Sequence, residues 1–135
     1  MLDEVTAATL RLARPLFLVT TLALPVLRNT KRFLELLADL EYTRDSINII
    51  VNRYNAKHET ISLRDFEDTV QQQAFWLIPN DYYATANAIY QGEPISAIAG
   101  RAKIAKSFKQ LAASLTLEAK PQTSLWSKFL SLGRR

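Results

Sequence analysis

"SINIIVNRYNAKHETISLRDFEDTVQQQAFWLIPNDYY", residues 46–83, decides how this chain folds. One apolar, β-branched run stops on Asn52, Arg53 and Tyr54, and a second stops on Pro79, Asn80 and Asp81. β-Branched and aromatic residues suit a pleated, buried surface, so "SINIIVN" and "AFWLIP" are expected to be strands, the second ended by Pro79. Between them, "ISLRDFEDTV" places Ser62 as an N-cap with Asp65 three residues on, an imperfect capping box that predicts a short helix. Strands apolar on both faces and joined by a helix indicate a parallel sheet with helices packed over it.

The same alternation extends outward in both directions. "PLFLVTT" reads as a buried strand closed by Thr20 and Thr21. In "LPVLRNTKRFLELLADL", Val26, Leu27, Thr30, Phe33, Leu34, Leu37 and Leu40 form one apolar stripe, and Pro25 suits the first helical turn. Upstream, "LDEVTAATLRLA" spaces Leu2, Val5, Ala8 or Leu10, and Leu12 as a helix with an acidic start. Downstream, "DYYATANAIYQGE" is a helix with Asp81 near its start and Gly92 as its stop. "SAIAGRAKIAKSFKQLAASL" reads as largely helical, with Ile104, Phe108, Leu111 and Leu115 on one face. The expected fold is an α/β domain with a small, mostly parallel sheet flanked by helices.

Open α/β sheets hold ligands beyond the carboxyl ends of their strands. That rule points to Thr20 with Thr21, to Asn52, Arg53 and Tyr54, and to Pro79, Asn80, Asp81 and Tyr82, three strand ends expected to share one rim.

A length of 135 residues suits one domain with a real core, and 48% hydrophobic with 22% charged residues is ordinary globular composition. The absence of cysteine excludes disulfides and thiolate metal sites and fits a cytoplasmic protein. The longest apolar stretch, "PLFLVTTLALPVL", carries two prolines and falls short of the ~20 residues of a spanning helix. The N-terminus lacks the layout of a signal peptide. A diffuse net charge of +4 argues against a nucleic-acid partner, which needs a denser patch. Arg101, Lys103, Lys106 and Lys109 lie along one helix as a solvated face, open to anionic lipid or DNA.

Other residue types have plainer readings. His58 stands alone in a loop, so no metal site is expected, and Ser62, Ser96 and Ser124 lack a nucleophile motif. Asp65, Glu67 and Asp68 read as a solvated helix face. Phe75 and Trp76 are expected in the core, with one of Tyr82 and Tyr83 in the core and the other on the rim.

Residues 1–115 form the expected domain and 116–123 a polar linker containing Pro121. Residues 124–135, "SLWSKFLSLGRR", set Leu125, Trp126, Phe129, Leu130 and Leu132 beside Lys128, Arg134 and Arg135. This is the layout of an interfacial membrane anchor, or of a helix that folds back on the sheet; the linker favours the membrane.

The segments "LVTTLALPVLRNTKRFLELL", "VNRYN", "ISLRDFE", "FWLIPNDY", "AIYQGEPIS" and "AKSFKQLA" resemble, in order and spacing, the C-terminal half of the MinD/ParA superfamily of deviant Walker P-loop ATPases. "NRY" paired with "IPNDY" resembles the Flp/Tad pilus-assembly branch, CpaE- and TadZ-like. The resemblance implies a Rossmann-like three-layer P-loop NTPase fold. It also implies that Asn52 and Arg53 contact the adenine of ATP, while Pro79, Asn80 and Asp81 close over it. Partners would be the P-loop half or a second copy, pilus or secretion machinery, and an anionic membrane surface at the inner membrane, where the family's tail is similar. One departure matters: the glycines are Gly92, Gly100 and Gly133, and none opens GxxxxGK[ST]. The family's switch regions and metal-binding aspartate are missing too. ATP binding is therefore expected to be weak without that half, with Mg²⁺ joining only through it, and the chain alone is expected to be inactive as an ATPase. The alternatives are a ParA-like partitioning protein acting on DNA, or a fragment without an autonomous role.

Overall fold

The computed structural model describes residues 4–12 and 15–117. The expected tail, from Leu125 to Leu132, lies outside them. Three strands, β1 (Leu16–Thr20), β2 (Ile47–Tyr54) and β3 (Ala74–Pro79), form one sheet in the order β1-β2-β3. Both pairings are parallel, as expected of apolar strands that alternate with helices. The helices are α1 (Glu4–Leu12), α2 (Leu24–Asp39), α3 (Leu63–Val70), α4 (Tyr82–Gln91), α5 (Ile95–Ile98) and α6 (Lys103–Leu117).

β2 runs through the middle and feeds both layers, because side chains alternate along a strand. Ile47, Ile49 and Val51 point to one face, where Leu27, Leu34 and Leu37 of α2 and Phe66 and Val70 of α3 meet them. Ile50 joins Ile78 of β3 on the other face, under Ile104 and Leu111 of α6, with Phe17, Phe75 and Trp76 packed alongside. The α2 stripe behaves as expected, with Leu27, Thr30, Leu34 and Leu37 buried. Thr30 is the polar member, and its hydroxyl is satisfied by that of Thr20, 2.8 Å away in the core. In α1, by contrast, Leu10 packs on the core while Val5 and Leu12 stay exposed, so the expected apolar face is only partly used.

Caps explain where the helices stop and start. Ser62 Oγ accepts the Asp65 N–H at 3.0 Å, the N-cap read in the sequence, and donates to the Asp65 carboxylate at 2.6 Å in place of the reciprocal bond of a full capping box. α2 ends in a Schellman turn, in which the Tyr42 N–H reaches the Leu37 carbonyl at 2.9 Å. Glu41 occupies its left-handed position at φ 66°, where glycine is the usual occupant.

Four expectations are corrected. Glu67 is half-buried rather than solvated: its Oε1 accepts the Ala74 N–H at 2.8 Å and ties α3 to the start of β3. Tyr82 and Tyr83 are both outside, at 72% and 85% exposure, since the face that α4 turns to the core is that of Ala84 and Ala88. The expected long final helix is broken at 99–102, where a Cβ on Gly100 would stand 2.6 Å from the Ser96 carbonyl oxygen, and Arg101 falls in that break. On α6 the buried residues are Ile104, Ala105, Ser107 and Leu111, whereas Phe108 and Leu115 remain partly open. Ser107 is held inside by accepting the Trp76 Nε1–H at 2.9 Å.

Candidate functional site: a cleft at the carboxyl ends of β2 and β3

The register between β2 and β3 shifts where the candidate site begins. Val51 pairs with Leu77 and Tyr54 with Pro79, so β2 uses three steps where β3 uses two. The extra residue is accommodated at Asn52 and Arg53, with Arg53 in the left-handed region at φ 56°. Such bulges unpair a residue, bend the strand and re-aim its side chains, and they concentrate beside binding sites. A left-handed non-glycine backbone costs roughly 1–2 kcal/mol and persists where surrounding contacts enforce it. Two contacts do so here. The Arg53 N–H donates to the Asn52 Oδ1 at 2.9 Å, and beyond the bulge the Asn80 N–H donates to the Tyr54 carbonyl at 2.9 Å.

The second strand end is fixed by its helix. Asp81 is the N-cap of α4: its Oδ1 accepts the Ala84 N–H at 3.1 Å and its carbonyl accepts the Thr85 hydroxyl at 2.8 Å. This cap holds Pro79, Asn80 and Asp81 as a turn beside the bulge. α4 stops at Gly92, φ 65°, which lets the chain double back into α5.

An open cleft of about 650 Å³ lies between these elements. Asn52, Arg53, Pro79, Asn80 and Asp81, the five residues singled out in the sequence, all line it. α4 contributes Tyr82, Thr85, Ala88 and Ile89, and the turn after it Gly92 and Glu93. Ile95 of α5 with Ile104 and Phe108 of α6 complete the lining. Those last three were missed, because the sequence pattern assigned Phe108 to a core face; only the break between α5 and α6 brings them around to the strand ends. Thr20 and Thr21 are not part of the cleft. Thr20 is buried against Thr30, so the expected rim has two strand ends instead of three.

Chemically, the cleft combines an apolar side with a few polar groups. The Asn52 carboxamide keeps both amide protons and one oxygen lone pair after accepting from Arg53, a donor–acceptor edge that suits the Watson–Crick or Hoogsteen edge of a base. Arg53 is exposed and offers a guanidinium plane able to stack. Among the lining residues it is the one cation, against the carboxylates Asp81 and Glu93. These features fit the base of a nucleotide. A phosphate cradle of successive backbone amides with a lysine is not among them.

No family model matches the chain. It is 29% identical over 115 residues to the septum site-determining protein MinD of Thermotoga maritima, which covers 81% of this chain and 41% of that protein. Its fold is similar to the crystal structure of a ParA family ATPase from Chlorobium tepidum, with a TM-score of 0.74 and 25% identity over 84% of this chain and 47% of the other. It is also similar in fold to the MinC:MinD cell division protein complex of Aquifex aeolicus, with a TM-score of 0.72 and 19% identity, covering 91% of this chain and 51% of that one. The chain thus spans about half the length of these relatives, or less, and over that span it is similar to the MinD/ParA family ATPases.

Proposed function

We propose that this chain is the base-binding half of a MinD/ParA-type ATPase, with the adenine ring of ATP held between Asn52 and Arg53 on one side and Pro79, Asn80 and Asp81 on the other. The observation that carries the reading is the bulge in β2, which turns Asn52 and Arg53 out of the ladder beside the capped turn of α4. Hydrolysis depends on phosphate and Mg²⁺ contacts, so the chain alone binds ATP weakly and does not turn it over. A P-loop half, from the same or another polypeptide, supplies those contacts. Two findings support that dependence: the chain spans about half of its relatives, and β1 pairs on one side only among the described residues, with Val19 on its face 59% exposed. The unpaired backbone groups of an edge strand invite pairing.

The cellular role we infer is CpaE/TadZ-like: positioning or assembling a Flp/Tad pilus or related secretion system, in the cytoplasm and at the periphery of the inner membrane. The pairing of "NRY" with "IPNDY" supports the branch, and the composition of residues 124–135 supports the membrane. Among the described residues no helix is long and apolar enough to cross a membrane. A ParA-like action on DNA is the second reading, favoured by Lys103, Lys106 and Lys109, all exposed along α6.

Amide chemical-shift mapping of the full chain with ATP tests the site. The expected result is shifts at Asn52, Arg53, Asn80 and Asp81 that are lost in Asn52→Ala. Shifts confined to other surfaces would overturn the reading.

A further inference from the structure

Phe108 on α6 is turned to the cleft. Ile104, Ser107 and Leu111 around it are buried, yet Phe108 stays 42% exposed and lines the cleft beside Ile95 and Ile104. An aromatic ring left half open to a cavity forgoes burial that a neighbouring apolar residue attains, and a flat ligand would complete it. The charges lining the same cavity say what kind of ligand. Two carboxylates, Asp81 and Glu93, share the lining with one guanidinium, Arg53, so its formal charge is about −1. A triphosphate inside this cleft would meet more repulsion than attraction, whereas an uncharged heterocycle and sugar would not. Hydroxyl groups can donate to a carboxylate, which suits a ribose near Asp81 or Glu93.

We propose that this cleft, by itself, selects the neutral nucleoside part of its ligand, with Phe108 as the aromatic floor on which the base stacks, and leaves the phosphates outside. The proposal rests on the base-binding reading above and adds to it a residue and a ligand class. The floor comes from α6, whereas the bulge belongs to β2. The base is then held edge-on by the Asn52 carboxamide and face-on by the Phe108 ring, and the two contacts are separable by mutation. Tyr82, also in the lining and 72% exposed, is the competing aromatic.

The test is a ligand-observed NMR titration of the full chain with adenosine and with ATP, at low and high salt, on Phe108→Leu, Phe108→Tyr, Tyr82→Ala and Asn52→Ala. Circular dichroism checks that each variant folds, and Phe108→Leu keeps an apolar side chain while removing the ring. Expected are adenosine and ATP affinities within about threefold of each other and little salt dependence, since no phosphate contact is made. Phe108→Leu should weaken adenosine roughly tenfold, as loss of a base–aromatic stack does, while Phe108→Tyr and Tyr82→Ala stay near wild type. If ATP binds more than about tenfold tighter than adenosine, or Phe108→Leu binds normally while Asn52→Ala does not, this inference fails and the base-binding reading survives. If the wild-type chain binds neither ligand, the base-binding reading fails and takes this one with it.

Discussion

The Arg53 N–H and the Asn52 side-chain carbonyl are 2.9 Å apart, and that short bond sits on a residue at φ 56°. The carboxamide is thereby oriented by its own backbone, before any ligand arrives. Arg53→Gly relieves the left-handed strain but loosens the unfolded chain, so stability should rise by about 0.5 kcal/mol or stay level. Nucleotide binding should fall, because the guanidinium is gone and the bulge is freer. Urea denaturation alongside ligand titration checks both; a large loss of stability would show that the Arg53 side chain, not the ligand site, maintains the bulge.

Thr20 and Thr30 share a buried hydroxyl pair at 2.8 Å. Thr20→Val or Thr30→Val alone leaves one hydroxyl without its partner in the core and should cost about 1–3 kcal/mol. The double variant removes both polar groups and should recover much of that loss. A double-mutant cycle by chemical denaturation measures the coupling, and additive losses would contradict it.

Glu67 should be sensitive in a way its acidic neighbours are not. Its Oε1 accepts the Ala74 N–H, whereas among the described residues the exposed Asp68 pairs with exposed Arg64 at 3.7 Å. Glu67→Gln keeps an acceptor and should be mild. Glu67→Ala strands the amide and should cost about 1–2 kcal/mol, while Asp68→Ala should stay within about 0.5 kcal/mol. Thermal melts of the three variants distinguish them.

The edge at β1 predicts association. The wild-type chain should self-associate with increasing concentration, or bind a separately supplied P-loop half, and Val19→Lys should suppress both by placing a charge on the edge strand. Sedimentation velocity is the measurement. A wild-type monomer at every concentration, indifferent to the P-loop half, would count against the idea.

For the tail, each apolar residue inserted into a headgroup region releases on the order of 1–3 kcal/mol before ordering costs, so binding should be marginal and should need anionic lipid. Trp126→Glu or removal of residues 124–135 is expected to abolish co-sedimentation with anionic vesicles and leave the circular dichroism of the sheet domain unchanged. Unfolding on removal would instead make the tail part of the core.

Much of this protein was legible along the chain because the signals are local. The β-branched runs, the Ser62 box, the Asp81 cap and the Gly92 stop are set by residues within a turn of one another, and they place the strands and most helices where they are found. The strand-end rule also picked out Asn52, Arg53, Pro79, Asn80 and Asp81, because a polar stop after an apolar strand is visible without knowing its neighbours. Tertiary packing decided the rest. Whether Thr20 faced a ligand or Thr30 depended on how α2 lies on β1; whether Glu67 was solvated depended on where β3 starts. The extra residue in β2 exists only relative to β3, since a bulge is a property of two strands and has no signature in one. Phe108 reads as core by spacing, and it became a wall of the cleft because the chain breaks at 99–102 and sets α6 against the carboxyl ends of the strands. Spacing specifies which face of a helix is apolar, but only the packed neighbours determine how much of that face they cover.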